Sequence, residues 1–167
     1  AEQVAERDAG EIVERDLAVA ARIDDADFER AFEDELAVLD ARIAEAAQRI
    51  GIKPEELAAV LQRGTAVQYK GGDYLFHEST PRQWLGLVLE GEIDLVRGQH
   101  GNSVLIGVAQ AGAILSEGVM LDDTPHGTSA VTHQGATIWQ ISRAELDKVR
   151  AEQPQVFYRI VGQIARR

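Results

Sequence analysis

Cysteine is missing from all 167 residues, which excludes disulfides, thiol catalysis and cysteine-based zinc or iron–sulfur sites. Long hydrophobic runs are missing too. None approaches the roughly eighteen apolar residues that would cross a bilayer, and the first residues are acidic and helical rather than basic and then apolar. A cytoplasmic chain with no membrane insertion is the expectation. Basic charge is scarce: 17 Lys and Arg stand against 28 Asp and Glu, for a net charge of −11. Without a basic face to neutralise phosphates, nucleic-acid binding is not expected. The four histidines, His77, His100, His126 and His133, show no metal-ligand spacing on a helix, so no metal site is expected. Catalytic signatures are lacking as well. There is no Gly-x-Ser-x-Gly elbow, no phosphate-cradling Gly-Lys-Ser/Thr loop and no His-Glu-x-x-His pair. His77-Glu78-Ser79 are neighbours, but successive residues of a strand face opposite ways. The chain reads as non-enzymatic.

The acidity is local. Residues 1–62 hold 17 Asp and Glu against 7 Lys and Arg, which leaves the rest of the chain nearly neutral. The division is into an acidic helical arm, residues 1–50, and a folded module, residues 51–167. Ala1 to Ile23 reads as a weakly amphipathic helix interrupted by Gly10, and Asp24-Asp25 supply cap chemistry for a second helix over about Ala26–Ile50. On that helix Phe32, Leu36, Leu39, Ile43, Ala46 and Ile50 follow at spacings of 4, 3, 4, 3 and 4. Such a period describes a seam for a partner helix. Phe32, Leu36, Leu39 and Ile43 are therefore candidate association residues, joining a second copy (a homo-oligomer) or other domains of a parent protein; packing of the same stripe on the rest of the module is the alternative. The first residue is not Met and the last residues continue a helical pattern, which reads as a piece of something longer.

Gly51 closes the second helix, and Pro54 opens a short one that buries Leu57, Val60 and Leu61. The texture then changes, because twelve of the fifteen glycines lie between Gly64 and Gly135 and separate short apolar runs. That punctuation indicates a compact β-roll, sandwich or barrel. Strands are expected near Ala66–Tyr69, Tyr74–His77, Trp84–Leu89, Glu92–Arg97, Ser103–Ala109, Thr128–Thr132 and Thr137–Ile141. Trp84 to Leu89 is apolar on both faces and so reads as a central strand, with Trp84 and Trp139 in the core. Ser142-Arg143-Ala144-Glu145 forms a capping box for a helix with Leu146 and Val149 inward, and Pro154 starts another carrying Phe157, Ile160, Val161 and Ile164.

One stretch carries candidate chemistry. In Ile114 to Thr128 a lone carboxylate, Glu117, sits among small residues on what reads as a single helical turn, and His126 follows Pro125. Ser116 and Gly118 keep the turn approachable, Glu117 can accept hydrogen bonds from a hydroxyl, and His126 can donate to an anionic oxygen. The pattern suits a small anionic ligand; an ordinary loop with a surface acid and histidine is the plain alternative.

From Tyr69 to Ser142 the chain resembles the cyclic nucleotide-binding domain family, the β-roll module of catabolite activator proteins and of cyclic-nucleotide-gated channels and kinases. The resemblance rests on Tyr69-Lys70-Gly71-Gly72-Asp73-Tyr74-Leu75-Phe76, Leu87-Val88-Leu89-Glu90-Gly91-Glu92-Ile93, Ala111-Gly112-Ala113-Ile114, and Glu117, Leu121 and Pro125 of the last stretch. It implies a mainly β fold with flanking helices, a β-roll or jelly roll behind an N-terminal helical arm. It also implies a phosphate-binding cassette at Ser116, Glu117, Gly118, His126, Gly127 and Thr128, with a cyclic nucleotide as the one ligand and no other cofactor. Ser116 replaces the family's glycine and His126 its phosphate-pairing arginine. The expected function is a regulatory module with a degenerate cassette that serves as an interaction or assembly domain of a larger protein; the alternative is a working sensor of a cyclic nucleotide or another small anion. Any binding through His126 should tighten at lower pH as the ring protonates.

Overall fold

A computed structural model describes residues 25–98 and 101–166. The helix expected over Ala1–Ile23 lies outside the described residues, as do Gln99, His100 and the side chain of Phe32. In chain order the elements are α1 (Asp25–Ile50), α2 (Pro54–Leu61), β1 (Thr65–Tyr69), β2 (Tyr74–Phe76), β3 (Trp84–Gly91), β4 (Ile93–Arg97), β5 (Val104–Ala109) and β6 (Ile114–Leu115). A single 3₁₀ turn over Glu117–Met120 follows, then β7 (Ser129–Val131), β8 (Ala136–Ser142), α3 (Arg143–Glu152) and α4 (Pro154–Ala165).

The strands form two antiparallel four-stranded sheets, one ordered β1-β8-β3-β6 and the other β2-β7-β4-β5. This is the expected β-roll with flanking helices. Strand β3 lies between β8 and β6, with Leu85 opposite Ile141 and Gly86 opposite both Gln140 and Leu115. Its apolar character on both faces has a direct cause, since each face meets a different core. Leu85, Leu87 and Leu89 point to a helical core with Ala46 and Ala47 of α1, Leu57 and Leu61 of α2, Leu146 of α3, and Phe157 and Ile160 of α4. Val88 points the other way, into a core between the sheets with Leu75, Ile93, Leu115, Ala130 and Ile138. Trp139 packs against the helical core, where its Nε1 donates to the Leu61 carbonyl at 2.7 Å, while Trp84 packs against the inter-sheet core. Ser142 caps α3 by accepting from the Glu145 amide at 3.2 Å.

The seven expected strands all form, with ends that differ by up to two residues. An eighth, β6, is only two residues long and falls inside the stretch read as a loop leading to the cassette. So short a strand carries no period of its own; it exists because Ile114 and Leu115 pair with Leu87 and Gly86 of β3.

Helix α1 is divided along its length. Ile43, Ala46, Ala47 and Ile50 are buried, and Val38 and Leu39 are half-buried against the helical core. Arg42 adds a tie to the sheet, its Nε donating to the Leu89 carbonyl at 2.7 Å. Toward the N-terminus the described side chains from Ala37 back are exposed, and Leu36 retains 44% of its surface. The heptad stripe thus serves two surfaces: Ile43 and Leu39 pack on the module itself, and Leu36 faces outward. Ile43→Ala is expected to lower unfolding stability by about 2–5 kcal/mol through a core cavity, whereas Leu36→Glu should leave it within about 0.5 kcal/mol. Denaturant melts of the two variants check this division.

A polar turn after strand β6

The turn after β6 is fixed by a change of core. Leu115 ends β6 in the core between the sheets, while Val119 and Met120, four and five residues on, are buried in the helical core. The chain has to reverse between them, and Ser116 makes the reversal in the left-handed region at φ 59°, ψ 32°. Side chains other than glycine enter that region at a cost of roughly 1–2 kcal/mol, which accounts for the glycine at this place in the family pattern. The backbone is held by Val119 N–H donating to the Ser116 carbonyl and Leu121 N–H to the Gly118 carbonyl, each at 3.0 Å.

Two polar side chains on this turn lack partners among the described residues. The Ser116 hydroxyl is buried without a hydrogen bond. Glu117, half-buried, has no hydrogen-bond or ion-pair partner among the described residues. Gly118 allows a close approach: a Cβ there would collide with the guanidinium of Arg82, which rests against the turn. Arg82 comes from the loop between β2 and β3, and that loop is pinned to the far end of the cassette. Ser79 N–H donates to the His126 carbonyl at 2.8 Å, and His126 N–H donates to the Thr80 carbonyl at 2.9 Å.

His126 itself differs from the expectation. Its side chain is 6% exposed and its ring lies parallel on Phe76 of β2, with centroids 3.8 Å apart. Burial first, and the positive charge of Arg82 second, lower its pKa from 6.5 to about 4. The ring is therefore neutral near pH 7, and tightening of a ligand through its protonation is expected only at lower pH than an ordinary histidine would give. The structure brings Ser116, Glu117 and Gly118 together with Arg82, whose charge also reaches His126. Gly127 is exposed, with its carbonyl accepting from Arg97 Nε at 3.2 Å, and Thr128 is half-buried just before β7. Arg82 was not legible as a site residue. Only the tertiary pairing of Ser79 and Thr80 with His126 carries it to the turn.

Two consequences can be measured. The unfolded chain takes up a proton at His126 near its ordinary pKa and the folded chain only near 4, so stability is lost as pH falls from about 6.5 to 4. His126→Phe, which keeps a ring on Phe76, should remove up to about 1.4 kcal/mol per pH unit of that slope, read from denaturant melts at a series of pH values. Ser116→Gly should raise stability by about 1–2 kcal/mol by relieving the left-handed backbone, and equilibrium unfolding reads this directly.

Comparison with known proteins agrees with this geometry. Residues 66–153 match the family model described as the cyclic nucleotide-binding domain. No curated protein matches the chain in sequence. Among solved structures, the N-terminal domain of a transcriptional regulator from Streptomyces coelicolor is 22% identical with a TM-score of 0.61, covering 69% of this chain and 81% of that one. A cyclic nucleotide-binding domain from Methylobacillus flagellatus is 21% identical with a TM-score of 0.62, covering 76% of each chain. The catabolite activator protein of Thermus thermophilus is 24% identical with a TM-score of 0.59, covering 70% of this chain and 55% of its own. At such identities the likeness is one of fold, and the family match covers more than half of the residues. With its two antiparallel sheets, flanking helices and turn after β6, the chain belongs to the cyclic nucleotide-binding domain family.

Proposed function

We propose that the chain is a non-enzymatic regulatory module whose turn after β6 receives a small anionic ligand, a cyclic nucleotide before others, and whose helical arm joins it to a second copy or to other domains of a larger protein. The observation that carries the ligand reading is the pair of unpartnered polar groups on one turn, the buried Ser116 hydroxyl and the Glu117 carboxylate. Buried polar groups are nearly always hydrogen-bonded in folded proteins, and a ligand hydroxyl and anionic oxygen would complete these two. Chemistry on a substrate is not supported, since no base is bonded to the Ser116 hydroxyl. Domains of this family regulate rather than catalyse. The cassette departs from the family at Ser116 and His126, and a neutral, stacked histidine supplies no charge for phosphate. Affinity below that of family members with arginine there is the expected result.

Calorimetric titration with cyclic AMP and cyclic GMP tests the ligand reading. Heat of binding that is unchanged between pH 5.5 and 8, and weakened about tenfold or more in Glu117→Gln, supports it. Absence of binding to either nucleotide at millimolar concentration would reject the cyclic nucleotide as the ligand.

A second reading, assembly through the arm, draws on the exposure of Leu36 beyond the part of α1 that packs on the module. Acidic residues Glu29, Glu33, Asp34 and Glu35 precede it on the helix. Leu36→Glu should then lower the mass measured by light scattering without changing the circular dichroism spectrum; an unchanged mass would remove Leu36 from any interface.

A further inference from the structure

Against the turn after β6 lies a cation that the resemblance does not assign. The side chain of Arg82 is 20% exposed, and its guanidinium rests against Gly118. A guanidinium carries five N–H donors, yet its one ionic neighbour among the described residues is Asp122 at 3.7 Å, beyond hydrogen-bond distance. That carboxylate is largely exposed and already accepts from the Thr124 amide at 2.9 Å. The nearby Arg143 makes an instructive contrast. Its Nε and Nη2 donate to the Arg82 carbonyl at 3.2 and 2.9 Å, and its Nη1 meets Asp123 at 2.9 Å. Arg143 uses all three of its nitrogens and fixes the backbone of Arg82, while the Arg82 head group has no hydrogen bond among the described residues.

The Arg82 nitrogens are reached by solvent and carry no hydrogen bond among the described residues, so their donors stand open to an acceptor that arrives from outside. We infer that Arg82, from the β2–β3 loop, is the residue that pairs with the anionic oxygen of a ligand at this turn, in place of the residue at His126. The inference rests on the reading of the turn as a ligand site, and it names the ligand chemistry as a phosphodiester or inorganic oxyanion that a planar guanidinium grips by two parallel hydrogen bonds. Access comes from a different loop than the family's arginine. The change also explains the fate of His126, which sits in the field of Arg82 and is neutral on Phe76, so two cations never compete for one oxygen.

The test compares the wild type with Arg82→Gln, Arg82→Lys and Gly118→Ala, using cyclic AMP, cyclic GMP and inorganic phosphate as probes in calorimetry and thermal-shift measurements, with circular dichroism as the fold control. Arg82→Gln should weaken whichever probe binds by roughly ten- to a hundred-fold, and Arg82→Lys should recover part of that loss. Gly118→Ala keeps the charge but places a methyl group where the guanidinium lies, at the far end of a flexible side chain, so it should weaken binding with little loss of fold. Cyclic nucleotide binding that is equal in wild type, Arg82→Gln and Gly118→Ala overturns the role of Arg82 and leaves the ligand reading intact. Phosphate binding that depends on Arg82, with no binding of either nucleotide, supports Arg82 and overturns the cyclic-nucleotide reading. If none of the three probes binds or shifts the melt of the wild type, both fall.

Discussion

Burial of β3 on both faces is the constraint on which the remainder of the molecule depends. Leucines at positions 85, 87 and 89 draw four helices onto one side, and Val88 with Trp84 closes the second sheet onto the other. A fully buried Leu contributes roughly 1.5–3 kcal/mol relative to exposure, so three on one face and their partners supply the driving force that sets the helices in place. The turn after β6 inherits its geometry from this arrangement. It starts in one core and ends in the other, and the reversal at Ser116 is what leaves Glu117 and the Ser116 hydroxyl without partners.

Polar satisfaction separates the bonded frame around this turn from the groups left open on it. The β2–β3 loop is joined to His126 by two backbone hydrogen bonds, and Arg143 holds the Arg82 carbonyl. Against that completed frame, the Arg82 head group, the Ser116 hydroxyl and the Glu117 carboxylate are incomplete. Among the described residues the Ser116 hydroxyl is the one buried side-chain polar atom without a partner, an exception that folded proteins seldom carry.

The readability of the sequence follows from how local each signal is. Strand β3 was legible because burial on two faces writes a continuous apolar run, and the glycine punctuation separated its neighbours. Strand β6 was not, since two residues hold no alternation. The stripe on α1 was legible as a stripe, but 3.5-residue spacing is the same whether Ile43 meets a partner or its own sheet, and only the tertiary structure sends Ile43 inward and Leu36 outward. At the turn after β6, Ser116, Glu117 and Gly118 are consecutive and carry the family pattern. His126 was read as a donor from residue type and alignment; stacking on Phe76, fifty residues earlier, is a contact that no short pattern reports. Arg82 was invisible for the same reason, as a long side chain is placed by its loop's tertiary bonds.

The partition of α1 has a mechanical side. At 26 residues the helix is about 39 Å long, and it is gripped over its last turns by the core and by the bond from Arg42 to the Leu89 carbonyl at the end of β3. Glu45, which Arg42 also holds at 2.9 Å, packs on Gly112 in the turn that leads into β6. A load on the outer turns is thus applied as a torque at a clamp whose jaws are the end of β3 and the turn before the cassette. The rod and the cassette share a bearing.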